Sequence, residues 1–566
     1  MDNNNIEYLR HSAAHLLAQA ISELYPNTLF TLGPATETGF FYDIINEDRN
    51  FKNEDLEIIT NRMKEIVTKD IPIEHYYVPK NDAKKIFSEN KYKLDIIENQ
   101  IKEDVAGIAK QGDFLDLCKG GHVKSTGSLR HFLLTGISGS YWRGNREGEA
   151  LQRISGIIFE SKEALDSHLK QQADLEKYDH RRLGQEMDLF SFSDLGPGFP
   201  FIHPKGMIII NELIKYMRKI TSENGYQEVR TPTILSSSLW KQSGHYSHYK
   251  ENMYDIKIDN HECFVKPMNC PGMFLIFNTR PRSYREMPLR LSEFGHVHRH
   301  ELSGTLHGLT RVRALTQDDA HIFCPVDEIE NEIIRIMTLM DKAMINAGLN
   351  NMSILIETRP EKASGAIELW EKATDALKSA LKKLNKEFKI NEGDGAFYGP
   401  KISLSVKDLF GREWGCGTIQ LDFIQPENFD LNFINKSGKK ERLVVIHQAI
   451  YGSLERFMAI LLEHHKGKLP FWLSPVQIKI LSITDSQNEY VKEVCKYFID
   501  NNYRTEININ GDPLNAKIQD AIKEKASILI IIGKKEVESK TVSVRYIDGI
   551  QKNNIRIEEV LIGIDK

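Results

Sequence analysis

Apolar positions near the start of the chain fall on a helical repeat. Between Glu7 and Leu24 the residues Leu9, Ala13, Leu16, Leu17, Ala20 and Leu24 recur at three- to four-residue spacing, and Pro26 ends the run. An amphipathic opening helix is expected, with His11 and His15 four apart on the side away from that stripe and outside the core. TLGPATETGFFYD and KGGHVKSTGSLRHF are rich in turn-formers with strand-like runs between them, so this part reads as a mixed α+β domain. The charged stretch LKQQADLEKYDHRRLGQEMD then meets SDLGPGFPFIHPKG, whose glycines and prolines break any helix and mark a boundary. Ile208 to Asn224 is again helix-like, EVRTPTIL after Gly225 reads as one strand, and the long middle region mixes helices with alternating strands. After LPFWLSP the pattern changes once more: VQIKILSIT, SILIIIG and TVSVRYI are strand-like, NEYVKEVCKYFID and LNAKIQDAIKEKA helix-like. That alternation predicts a small, mainly parallel α/β domain. The expected organisation is therefore multidomain α+β and α/β, with residues 1–175 (including a linker helix), 176–468 and 469–566 as its parts.

Composition narrows the class. A chain of 566 residues exceeds one ordinary core, and 41% hydrophobic with 27% charged residues excludes a disordered, collagenous or membrane protein. The start MDNNNIEYLRHSAAH has no basic-then-apolar leader, and no run approaches the roughly 18 apolar residues of a membrane span. A cytoplasmic location without membrane attachment is expected. Six cysteines without regular spacing do not form a disulfide framework, so reduced thiols are expected, a few of them available to metal. A net charge of -5 does not suit general nucleic-acid coating, yet it permits a local basic groove.

Three segments of the middle region carry chemistry: GYQEVRTP, LRLSEFGHVHRHELSGTLHGLTRVR and AIYGSLERFMAILLEHH. Singly they are ambiguous, since Arg299 with Glu301 could be a cross-strand surface pair and Arg456 could serve a helix face. In this order and spacing they resemble the three signature motifs of class II aminoacyl-tRNA synthetases. The resemblance implies an antiparallel sheet holding ATP, and a homodimer built around the first motif. Attack of an amino-acid carboxylate on an α-phosphate spreads charge over phosphate oxygens, which calls for fixed, permanently cationic donors, and arginine supplies them. By resemblance Arg299 contacts the α-phosphate, Glu301 the adenine amino group, Arg311 the outer phosphates and Arg456 the adenine face and phosphates, with Mg2+ accompanying the ATP.

The strings KPMNCPGM, TRVRALTQDDAHIFC, FYGPKISLSVKDLFGREWGCGTIQLDF and VVIHQAIYGSLERF resemble the threonyl-tRNA synthetase family, and the likeness runs over essentially the whole chain. The family pattern implies a catalytic Zn2+ on Cys270, His321 and His447; scattered as they are, these residues carry no metal signal by spacing. Grouped, one thiolate and two imidazoles leave a fourth position for substrate, as catalytic zinc sites do. Threonine fills it through its amino and hydroxyl groups, and valine, with only the amine, is refused. Serine passes, because one methyl is worth only about 1–3 kcal/mol in a pocket, so a second checkpoint is required. Matching positions place Met268, Gln317, Asp319, Tyr398, Lys401 and Gln420 around the amino acid and Thr418 near the nucleotide. His245 matches the residue implicated in transfer to the tRNA ribose; read without the family it is a turn histidine beside Gly244.

His11 and His15, with Cys118 and His122 at the same four-residue spacing, have the form of a zinc site when read from the residues alone. The family implies instead an editing domain in which the cluster positions substrate and water, with Asp116, Lys93 and Tyr42 in the same cleft, hydrolysing seryl-tRNA(Thr). The C-terminal part resembles an anticodon-binding domain, in which Glu536 and Arg545 match base-reading positions. The chain departs from the family pattern in Lys119-Gly120-Gly121 for Arg-Gly-Pro, Lys525 for arginine, Leu315 for an adenine-stacking phenylalanine and Gly415 for a glutamine. The asparagine expected near Gly511 and a small N-terminal domain before the editing segment are also missing. The resemblance as a whole implies a threonine–tRNA ligase whose partners are tRNA(Thr), threonine and ATP. A prolyl or seryl enzyme, or a non-catalytic binding paralogue, are the competing readings.

Overall fold

A computed structural model gives the fold and describes residues 3–145 and 148–562. The extreme ends of the expected 1–175 and 469–566 segments lie outside the described residues. The chain divides into two compact units, residues 1–174 and 175–566.

In the first unit the opening helix α1 (Asn3–Leu24) forms as its periodicity predicts. Strands β1 (Thr28–Phe30) and β2 (Gly39–Asn46), helix α2 (Asp55–Thr68) and strand β3 (Ile73–Pro79) follow. Then come α3 (Lys80–Ile86), α4 (Lys91–Asn99), β4 (Val105–Gln111), β5 (Phe114–Leu117), β6 (His131–Tyr141) and β7 (Ala150–Phe159). They make a four-stranded sheet of order β1-β2-β7-β6 and a three-stranded sheet β3-β4-β5, both antiparallel. One expectation fails here. The helix is not half-wet: every residue from Ser12 to Ala20 is buried, and His15, read as lying outside the core, is only 3% exposed. Sheet, α2 and the second small sheet enclose α1 on nearly all sides, so a stripe read from spacing understates its burial.

A long helix, α5 (Lys162–Lys177), and then α6 (His180–Glu186) lead into the second unit. Helix α7 spans Pro204–Ser222, beginning earlier than the apolar repeat suggested because Pro204 occupies a first-turn position, where its missing N–H costs nothing. EVRTPTIL is not one strand. Pro232, which cannot donate to a ladder, separates β8 (Tyr226–Glu228) from Ile234–Ser236, which joins another small sheet. The main sheet adds β9 (Leu289–His298), β10 (Ala314–Cys324), β11 (Met352–Glu357), β12 (Lys389–Asn391), β13 (Lys401–Lys407), β14 (Glu413–Asp422) and β15 (Val444–Ser453). Its order is β8-β9-β10-β15-β14-β13-β11-β12, antiparallel except at its two edges. Helices α8 (Cys270–Phe277), α9 (Ile329–Asn346), α10 (Ile367–Lys383) and α11 (Leu454–His464) complete the region.

Alternation along these strands sets the function of each face. Ala320, Ile322, Ile402, Leu404, Ile419, Leu421 and Ile446 point into the apolar layer formed with α7, α9, α10 and α11. The intervening positions carry the polar side chains of the site.

The C-terminal part folds as β16 (Ile478–Ser482), α12 (Asn488–Asp500), β17 (Thr505–Asn508), α13 (Leu514–Lys523), β18 (Ile528–Ile532), α14 (Lys534–Ser539), β19 (Val542–Tyr546) and β20 (Gln551–Ile555). The expectation of a mainly parallel sheet needs correction. β17-β16-β18 are parallel, but β19 and β20 add antiparallel, because the short helix α14 turns the chain back without a full crossover.

Candidate functional site

Cross-strand register assembles the synthetic site. His321 lies directly opposite His447, His447 opposite Gln420, and Gln420 opposite Lys401. Leu315, Gln317, Asp319 and His321 alternate on one face of β10, with Thr418, Gln420 and Asp422 in the matching phase of β14. Residues scattered through the sequence thus share one sheet face, and Cys270 joins them from the first residue of α8.

Ligand atoms of Cys270, His321 and His447 all lie within 4.8 Å of one another, and the side chains are buried. Both ring nitrogens of His321 are buried with no hydrogen-bond partner; its Nδ1 is 3.7 Å from Asp319 Oδ1, too far for one. Burial holds the His321 imidazole well below its ordinary pKa, hence neutral. Burial, with Asp319 and Asp422 nearby, pushes the Cys270 thiol well above its usual range. The neutral His321 imidazole and the His447 ring beside a thiol that only a cation would deprotonate make a donor set that fits a divalent metal. His447 Nε2 donates to Asp422 Oδ2 at 2.8 Å, which leaves Nδ1 free to coordinate.

The surrounding residues line up as follows. Tyr398 donates to Gln420 Oε1 (2.5 Å), and Lys401 pairs with Glu357 (2.5 Å). Asn269 donates to Asp319 (2.9 Å), whose carboxyl burial pushes up to about 6. Met268 packs at the edge of the apolar cluster around Phe274. His245 is not a solvated turn residue: it is 1% exposed, begins the short helix His245–Tyr249 after left-handed Gly244, and has Nδ1 2.7 Å from Ser243 Oγ. Its Nε2 is buried and unpartnered, and burial, with His447, His248 and Arg299 nearby, lowers its pKa to about 4.

Three arginines converge beyond β9 and β10. Arg299 Nε donates to the Pro267 carbonyl (3.2 Å) and Arg456 Nε to that of Thr310 (2.9 Å). Glu301 pairs with Arg311 (2.9 Å), not with Arg299 as a cross-strand reading would have it. Desolvation, then Arg299 and Arg311, depress the Arg456 pKa; three cations gathered in one place suit a polyanion. Leu315 stands opposite Val297, and Gly415 opens onto space, a Cβ there meeting nothing within 4 Å.

In the first unit a cleft of about 990 Å³ is lined by His11, His15, Tyr42, Lys93, Asp116 and Cys118, among others. Asp116 is its buried anchor. It accepts from Tyr42 Oη (2.5 Å) and is ion-paired with Lys93 Nζ (2.5 Å) and His15 Nδ1 (2.9 Å); Lys93 and then His15 hold its carboxyl far below the usual range despite burial. Cys118 Sγ lies 3.0 Å from His122 Nε2 and 3.4 Å from His11 Nε2. Against burial, the hydrogen bonds from His11, His122 and His15 lower Cys118 to about 3, while Asp116 and Cys118 raise His15 to about 9. Ligand atoms of His11, His15, Cys118 and His122 also lie within 4.8 Å of one another, so the geometry alone keeps a metal reading open. Sequence reasoning missed His75, whose Nε2 is 3.2 Å from the Cys118 carbonyl, and Asp422, which stood two positions beyond Gln420 on the same strand face and could have been found by that alternation. In the C-terminal part Glu536 accepts from Gly533 N (3.0 Å) and Ser543 Oγ (2.7 Å) at the start of α14, and Arg545 lies on β19.

Comparison with known proteins finds three family models along the chain. Residues 107–155 match the threonyl and alanyl tRNA synthetase second additional domain, 254–465 the class II tRNA synthetase core domain (G, H, P, S and T), and 474–566 an anticodon-binding domain. A threonine–tRNA ligase of Clostridium kluyveri is 48% identical over 546 residues, 96% of this chain and 85% of that protein. One from Acetivibrio thermocellus is 47% identical, over 96% and 86%. The crystal structure of the RNA binding domain of threonyl-tRNA synthetase from Cryptosporidium parvum superposes with a TM-score of 0.65 at 39% identity, covering 69% of this chain and 99% of that one. With a class II core, an anticodon-binding domain and an editing-type domain in one polypeptide, this chain belongs to the threonine–tRNA ligase family.

Proposed function

We propose that the ligase activates threonine with ATP and Mg2+ on residues 176–468, with one Zn2+ held by Cys270, His321 and His447, and transfers it to tRNA(Thr) gripped by residues 469–566. Residues 1–175 hydrolyse seryl-tRNA(Thr). The carrying observation is the pair of buried, unpartnered His321 nitrogens beside Cys270 and His447. When bound, the metal supplies an open Lewis-acidic position that separates a substrate with both amino and hydroxyl groups from one with the amine alone.

The protein's own residues do the rest. Asp319, oriented by Asn269, receives the substrate ammonium; Tyr398 and Gln420 frame the side chain, with Gln317, Lys401 and Met268 closing the pocket. Arg299, Arg311 and Arg456 balance the charge that develops on the phosphates, while Glu301, Leu315 and Thr418 set the nucleoside. His245, neutral at physiological pH, can accept a proton at Nε2 as the tRNA ribose hydroxyl attacks. In the cleft of the first unit, Asp116 fixes His15 and Lys93, and His11, Cys118 and His122 hold the seryl ester and its attacking water. A homodimer built around β8 is part of the proposal. So is a cytoplasmic location; among the described residues no helix is long and apolar enough to cross a membrane.

The test is amino-acid-dependent ATP–pyrophosphate exchange before and after zinc removal. Threonine should support exchange and valine should not, and chelation should abolish the threonine signal until zinc is restored. Full exchange in zinc-free protein would overturn the proposal.

A further inference from the structure

We propose that Asp318 and Glu455, which touch neither substrate, are the positioning residues that aim Arg456 at the nucleotide. The proposal rests on the reading of Arg456 as a nucleotide contact. Asp318 sits on β10 between Gln317 and Asp319 but points the opposite way, into the helix-covered side, where it is 6% exposed. Its Oδ2 accepts from the backbone N–H of Ile450 and of Tyr451, both at 2.8 Å, and its Oδ1 from that of Gly452 at 2.9 Å.

Those three residues form the irregular end of β15. Gln317 faces Ser453 while Asp319 faces Ala449, so two steps on β10 oppose four on β15, and the surplus N–H groups lose their ladder partners. The Asp318 carboxylate takes them all. Gly452 passes through φ 84°, a left-handed conformation, and Ser453 then caps α11 by accepting from Arg456 N at 3.2 Å.

Glu455 returns the contact. Preceding Arg456 in the first turn of α11 and 4% exposed, it accepts the Thr316 N–H with both oxygens, at 3.0 and 2.9 Å. The backbone carrying Arg456 is therefore clasped from two sides to the strand whose other face bears Leu315, Gln317 and Asp319. A helix arginine with no ligand to meet needs no such clasp. One whose guanidinium must meet a nucleotide held by that strand does, because a displacement of about 1 Å can cost on the order of a hundredfold in rate.

An asparagine at 318 keeps one acceptor oxygen and sets its amide N–H groups against a backbone N–H. A glutamine at 455 keeps an acceptor and is the milder change. The experiment is ATP–pyrophosphate exchange by the full chain for Asp318→Asn, Glu455→Gln, Arg456→Ala and the two doubles with Arg456→Ala. Seryl-tRNA deacylation and thermal melting serve as controls for folding. Asp318→Asn should lower kcat/KM for ATP on the order of a hundredfold and leave the threonine KM unchanged, with Glu455→Gln shifting kcat/KM for ATP in the same direction by less. In the Arg456→Ala background neither substitution should cost more, since both act through the missing side chain. Losses that simply add to that of Arg456→Ala, or that fall equally on the threonine KM, would overturn the proposal. Should Asp318→Asn not fold, the Glu455→Gln cycle decides by the same criterion. Arg456→Ala with a normal kcat/KM for ATP would instead overturn the reading of Arg456 itself.

Discussion

Asp422→Asn should loosen zinc without touching any of its ligands. In the parent protein His447 Nε2 donates to Asp422 Oδ2 at 2.8 Å, and Asp422 Oδ1 accepts from Ile424 N and Gln425 N, both at 2.9 Å. Those two backbone donors will hold the oxygen of an asparagine, which turns its NH2 toward His447. Nε2 must then accept, so the imidazole proton moves to Nδ1, the nitrogen needed for the metal. The site is sealed, Asp422 being 0% exposed, so water cannot relieve the conflict. Loss of one charge-assisted hydrogen bond is worth roughly 1.5–3 kcal/mol. The usual effect of such a change is about 10- to 100-fold in metal affinity, or about 1.4–2.7 kcal/mol, so the two estimates agree. Elemental analysis of protein titrated with a competing chelator gives the zinc affinity, and exchange kinetics should show a raised threonine KM with an unaltered ATP KM. A variant that retains zinc against chelator as firmly as the parent would refute the tautomer argument.

Zinc content of the parent should be one per chain; two, with one lost in Cys118→Ala, would mean that the cluster of the first unit is a metal site. His11→Ala or Cys118→Ala should let seryl-tRNA(Thr) accumulate while threonylation stays nearly intact, and a variant with the opposite pattern would contradict the division of labour. An ordinary thiol titrating near 9 loses about a hundredfold of its thiolate between pH 7.5 and 5.5, but Cys118, lowered to about 3, stays a thiolate across that window. Its alkylation should accordingly be nearly flat with pH, and a hundredfold slowing at pH 5.5 would show that the three histidines do not stabilise the anion. Leu315 offers adenine apolar contact without ring stacking, so Leu315→Phe should tighten ATP by about 0.5–1.5 kcal/mol, two- to tenfold, with threonine little affected. ATP binding indifferent to the change would show that neighbouring groups compensate.

Local order in the sequence carried a good deal of this protein. The periodicity of α1, the helix–strand alternation after Leu473 and the strings around Arg299 and Arg456 each reflect forces that act between near neighbours, and they survive in the fold. Where neighbours were misleading, the competing term was identifiable. Proline at 232 broke a run that polarity alone read as continuous, and the short turn through α14 reversed TVSVRYI, a strand expected to belong to a mainly parallel sheet. His15 looked peripheral because a helix stripe takes no account of the sheets that close around it.

The sites show the divide most sharply. Four-residue spacing made His11 with His15, and Cys118 with His122, visible as pairs, since one turn of helix or one tight loop puts such residues together. Nothing local joins Cys270, His321 and His447. They meet because β10 and β15 pair in one register and α8 begins above them, and a slip of either strand by one residue would turn its histidine into the apolar layer. The partners Asp318 and Glu455 were invisible for the same reason: a carboxylate's role depends on which buried N–H it reaches, and that is decided by long-range strand register, which no stretch of sequence contains by itself.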